Sequence, residues 1–179
     1  MKFLFVIFLI LLNSSVLASN TDNWKLVKNI DKMTNKLESC YIMSKLIKAD
    51  SELSFPYKNL QSSVVIPLYL KPAFTFTSNA NLNEGSYTLK EKYGDVKMAN
   101  REINTRIKFD ENVQNVQLIQ LLEHKVAIFF KNENDEKRLL KSNKVLLELD
   151  WYNEGKIYFE YDVKGVSQAI KNMKEKCKK

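Results

Sequence analysis

The hydrophobic positions of this chain fall mostly at every second residue, and that spacing predicts strands. KIYFEYDVK, residues 156–164, sets Ile157, Phe159, Tyr161 and Val163 on one side, with Lys156, Tyr158, Glu160, Asp162 and Lys164 on the other. KVLLELDW, residues 144–151, places Val145, Leu147, Leu149 and Trp151 on one face. Asn153-Glu154-Gly155 joins the two as a short glycine-containing hairpin loop. EINTRIKF opposes Ile103, Thr105, Ile107 and Phe109 to Glu102, Asn104, Arg106 and Lys108. Alternation with one polar face marks antiparallel sheet covered on one side.

Other stretches extend the pattern. WKLVKNI, residues 24–30, aligns Trp24, Leu26 and Ile30, and ESCYIMSKLI reads as a second early strand. SSVVIPLYLKPAFTFTS, residues 62–78, is rich in β-branched and aromatic residues but broken by Pro67 and Pro72. Proline donates nothing to a ladder, so this is an edge strand or two strands with a bend. KVAIFF (125–130) and SYTLKEKY (86–93) are further strand candidates. Asn112 to Glu123 and Asn134 to Ser142 read as short helices. After Gly165, Val166, Ala169, Ile170, Met173 and Cys177 recur at helical spacing and make one stripe. The expected fold is mainly β: an antiparallel sandwich or barrel-like sheet with a C-terminal helix and one or two short helices. No internal repeat or low-complexity linker divides the chain. Ser78 to Asn104 is richest in turn residues, including Asn79, Asn81, Asn83, Gly85 and Gly94, and is where a functional loop is expected.

The first residues change the picture. MKFLFVIFLILLNSSVLASN has one lysine, an apolar run from Phe3 to Leu12, and then Val16-Leu17-Ala18. This reads as a secretory signal peptide, residues 1–18, cleaved after Ala18. The alternative is a membrane anchor, but the apolar run is about half the roughly 20 residues a span needs. Residues 19–179 are then one β-rich exported domain, periplasmic or secreted. Both cysteines, Cys40 and Cys177, lie in it. In an oxidising compartment the pair is most simply a disulfide, the alternative being two buried thiols.

Some of these residues resemble a family. Trp24, ESCYI around Cys40, and the run LLKSNKVLLELDWYNEGKIYFEYDVKGVSQAI leading to Cys177 are similar to the invasion-associated locus B family. Its members are small exported bacterial proteins with a sandwich or barrel-like core, linked in some bacteria to host-cell entry. The resemblance implies that fold and an envelope location, and it implies no site residues. It covers the two ends of the chain; Asp50 to Val113 departs from the family's pattern.

Candidate chemistry is sparse. The one histidine, His124, sits in LLEHKVAIFF, where a polar residue closing a helix is expected rather than a triad member. The chain cannot supply a four-ligand Cys/His zinc site, and its four glycines make no phosphate cradle. Glu133, Asp135 and Glu136 lack calcium-loop spacing and read as a solvated helix start. No catalytic residue, cofactor or metal is assigned. The net charge is +7, from 28 basic and 21 acidic residues. Arginine, the better phosphate fork, appears only as Arg101, Arg106 and Arg138, and export disfavours nucleic acid as a partner. The tail concentrates Lys171, Lys174, Lys176, Lys178 and Lys179, a possible contact with an anionic envelope component or else a solvated helix face. The expected function is a non-catalytic exported protein that binds a protein or envelope partner, with host interaction as the role the resemblance implies. The alternatives are a small hydrolase using a carboxylate pair, or an inhibitor of an envelope-directed enzyme.

Overall fold

A computed structural model describes residues 23–83, 86–93, 96–121 and 125–178. The expected signal peptide, His124 and Lys179 lie outside these residues. Eleven strands form one antiparallel sheet: β1 (Trp24–Ile30), β2 (Leu37–Ser44), β3 (Ile47–Lys48), β4 (Gln61–Pro67), β5 (Ala73–Phe76), β6 (Ser86–Tyr93), β7 (Val96–Phe109), β8 (Asn112–Leu121), β9 (Ala127–Phe130), β10 (Lys144–Trp151) and β11 (Gly155–Asp162). The described residues also form two short helices, α1 (Glu133–Leu139) and α2 (Val166–Lys176).

The strand order is β1-β2-β4-β5-β9-β8-β7-β10-β11, with β3 beside β4 and β6 beside β7. The sheet is open, but it curls until its ends approach. The Asp50 N–H donates to Tyr158 O (2.9 Å), and the Tyr158 N–H donates to Asp50 Oδ1 (3.0 Å). These bonds cover part of the free edge of β11, which would otherwise present unpaired backbone groups.

One face of every alternating strand meets in a single core. Val145, Leu147, Leu149, Trp151, Phe159 and Val163 are all fully buried. Phe159 packs edge-on to Phe76 with ring centroids 5.5 Å apart, and Phe74 meets Phe130 at 5.4 Å. Tyr161 is also buried, and its hydroxyl lies 2.6 Å from Ser62 Oγ. Ser62 spends its own proton on Thr75 O (2.8 Å), so Tyr161 is the donor. Burial raises the Tyr161 pKa and the Ser62 bond offsets part of that rise. The phenol is therefore a satisfied core group.

Three expectations need correction. Residues 112–121 are strand β8, not helix. Val116, Leu118 and Gln120 face inward in alternation, and buried Gln120 donates to Ala80 O (2.7 Å) and Lys125 O (3.1 Å). Its pairing with β7 outweighs the helix-like spacing of its apolar residues. Ile30 is 54% exposed and does not share Trp24's burial, because it stands at the tip of the β1–β2 hairpin. Asp135 is buried rather than solvated, and it pairs with Arg138 at 3.1 Å. Of the two readings of the 62–78 stretch, the structure has the second: two strands, β4 and β5, with Pro67 closing the first and Pro72 in the bend.

Candidate functional site

The outer face of the sheet carries a groove built from four strands. Ladder register aligns Asn115 on β8 with Arg106 on β7, and Glu148 on β10 with Tyr158 on β11. Two residues along, Asn104 faces Gln117, whose amide donates to the Asn104 side chain (3.1 Å). Alternation puts all of these opposite the core residues Ile107, Leu147 and Phe159. Asn104, Arg106, Asn115, Gln117 and Glu148, together with Lys156, line a cavity of about 460 Å³. A smaller depression of about 140 Å³, between Lys108, Val113, Leu146 and Tyr158, lies across the Arg106–Glu148 pair.

Glu148 is the hub. Arg106 Nε donates to Glu148 Oε1 (3.1 Å), and Arg106 Nη2 donates to Oε2. The Tyr158 hydroxyl donates to Oε2 (3.0 Å), and Lys156 Nζ lies 3.4 Å from Oε1. The bidentate bond from Arg106, aided by Tyr158 and Lys156, holds the Glu148 carboxyl below its usual range despite partial desolvation. The same bond raises the Arg106 pKa. The Glu148 side chain is only 10% exposed, whereas Arg106 and Lys156 are 51% and 59% exposed. Glu148 therefore fixes two cations that still face solvent. A carboxylate occupied by four donors, with a depressed pKa, is poorly placed to deliver a proton. What the groove offers a ligand is amides from Asn104, Asn115 and Gln117 beside two oriented cations.

The structure brings Cys40 and Cys177 together in a disulfide, Cα–Cα 6.4 Å across 137 residues of sequence. Cys40 lies on β2, and Cys177 caps the C-terminal end of α2 just past its last helical residue. Val166, Ala169 and Met173 bury the predicted stripe. Trp24 Nε1 donates to Lys164 O (3.2 Å) where the chain enters that helix. Lys171, Lys174, Lys176 and Lys178 are exposed, as the helical face requires.

A second depression, about 350 Å³ under the β3–β4 loop, holds the carboxylates of Asp50 and Glu52. Asp50 is committed to the Tyr158 backbone. Among the described residues no cluster of His, Cys, Asp and Glu could hold a metal ion, and no helix is long and apolar enough to cross a membrane. Sequence reasoning missed the groove because its residues come from strands far apart in the chain. The available signal was Arg106, one of the few arginines, on a clean outward face. No family model, curated protein or solved structure matches this chain.

Proposed function

We propose that this is an exported, non-catalytic protein that binds a protein or cell-envelope partner through the groove on the outer face of β7, β8, β10 and β11. The carrying observation is the Arg106–Glu148 pair. It holds a guanidinium half exposed beside three amides, an arrangement suited to a polar, hydrogen-bonding surface. The Cys40–Cys177 bond is consistent with an oxidising compartment, which supports export. A location in the periplasm or outside the cell, and kinship with the invasion-associated locus B family, belong to the same proposal.

The test uses envelope extract and the oxidised protein as bait, beside an Asn115→Trp variant that fills the groove. Asn115 is exposed, so the fold should tolerate the indole. The expected result is a component retained by the wild type and lost by the variant. Equal capture by both would remove the groove from the proposal. Hydrolysis of a chromogenic glycoside, abolished by Glu148→Gln, would overturn the non-catalytic reading.

A further inference from the structure

Phe55, in the β3–β4 loop, is 93% exposed and stands apart, but one end of the molecule combines several exposed apolar side chains with lysines. Strand directions bring the β1–β2 turn, the β4–β5 loop and the C-terminal end of α2 to the same end of the curled sheet. Three contacts tie them together. The Leu68 N–H donates to Cys40 O (3.0 Å), Cys40 is bonded to Cys177, and Lys28 Nζ donates to Lys176 O (2.6 Å).

Large apolar side chains stand in solvent here. Met33 is 91% exposed, Tyr69 78% and Leu70 74%. The turn that displays Met33 is braced: the Met33 N–H donates to Asp31 Oδ1 (2.8 Å), the Thr34 hydroxyl donates to Oδ2, and Asn35 takes a left-handed conformation (φ 56°). Those bonds, Thr34 first, hold the Asp31 pKa below its usual value. Exposed Lys28, Lys32 and Lys36 flank the turn, and exposed Lys174, Lys176 and Lys178 come from α2. The opposing acids are Asp31, already engaged by its own turn, and exposed Glu38 and Glu175; Glu136 pairs with Lys71 at 3.2 Å. Cations outnumber anions, and the apolar groups project from two loops, Met33 from one and the adjacent Tyr69 and Leu70 from the other.

Apolar loop tips projecting among lysines suit a lipid interface better than a flat protein surface. The tips enter the headgroup layer while the lysine heads meet phosphate. We propose that this end docks on an anionic lipid bilayer, with Met33, Tyr69 and Leu70 inserting and the lysines of the β1–β2 hairpin and α2 contacting lipid phosphates. This goes beyond the groove reading and uses a different surface, so the two can fail separately.

The test is co-sedimentation of the oxidised protein, lacking residues 1–18, with phosphatidylcholine vesicles that contain or lack phosphatidylglycerol. The expected result is binding to the anionic vesicles, weakened by salt, with little binding to phosphatidylcholine alone. Met33→Ser/Tyr69→Ser/Leu70→Ser changes only exposed side chains and should weaken binding roughly tenfold or more. Lys174→Glu/Lys176→Glu should weaken it comparably, and Asn115→Trp should bind like the wild type. Absence of binding to anionic vesicles by folded protein would overturn the proposal. So would full binding by the apolar triple variant, which would reduce the effect to charge alone. Retention on a soluble polyanion without vesicle binding would assign the lysines to a polysaccharide instead.

Discussion

Two neighbouring rungs of the same three strands behave oppositely. Ile107, Leu147 and Phe159 form the inner rung and none of them touches water. One residue along, Arg106, Glu148 and Tyr158 form the outer rung, tied by charge-assisted bonds and open to solvent on one side. The inner rung loses free energy in proportion to the apolar area it exposes. The outer rung gains less from its ion pair, because the Arg106 guanidinium is half exposed and already well solvated. Stability and the proposed recognition therefore separate across the thickness of one sheet, and the groove can change without unfolding the protein.

The comparison breaks most readily from inside. Phe159→Ala removes a fully buried ring that meets Phe76 and should cost about 3–5 kcal/mol in a urea melt. A cost near that of an outer-face change would mean the two faces are wrongly assigned. Next comes the clamp. Replacing both cysteines with serine should lower stability by about 2–4 kcal/mol by denaturant titration, while groove binding assayed below the melting point persists.

The outer rung should respond to pH. Folding lowers the Glu148 pKa from its usual 4.5. Its contribution is therefore fully present above that value and is lost as the pH falls through the lower folded-state pKa. Glu148→Gln should cost about 1 kcal/mol at neutral pH. The gap between variant and wild type should close in melts taken progressively below pH 4.5. A gap that widened on acidification would contradict the network. Smallest of all, Glu160→Ala should change stability by less than about 0.5 kcal/mol, since Glu160 is exposed and pairs with exposed Lys144.

How far these regions can be read from sequence follows the same division. β10, β11 and α2 were legible because each keeps one strict period: alternation in KVLLELDW and KIYFEYDVK, and a stripe from Val166 to Cys177. The pairing of the two cysteines followed from that stripe and from there being no third cysteine. β8 was not legible as a strand. Val113, Val116, Ile119 and Leu121 can be fitted to a helix, and its inward Gln120 is polar because it serves the Ala80 and Lys125 carbonyls. With β8 read as helix, Asn115 and Gln117 had no sheet to face. The groove depends on cross-strand register over four strands, and local periodicity carries no record of register. The exposed end was legible only as lysines. That Met33, Tyr69 and Leu70 stand among them depends on which loops share an end, a property of topology.

Compartment, class and the lipid-facing end all depend on the bond between Cys40 and Cys177. It joins the first hairpin to the last helix, and Lys28 of that hairpin reaches the Lys176 carbonyl at the end of α2. The most direct measurement is thiol titration of protein isolated from its native host, alkylated on lysis, unfolded, and never reduced. The predicted result is no reactive thiol before reduction and both cysteines reactive after it. Two reactive thiols per chain before reduction would contradict the bond, and with it the argument for an oxidising compartment.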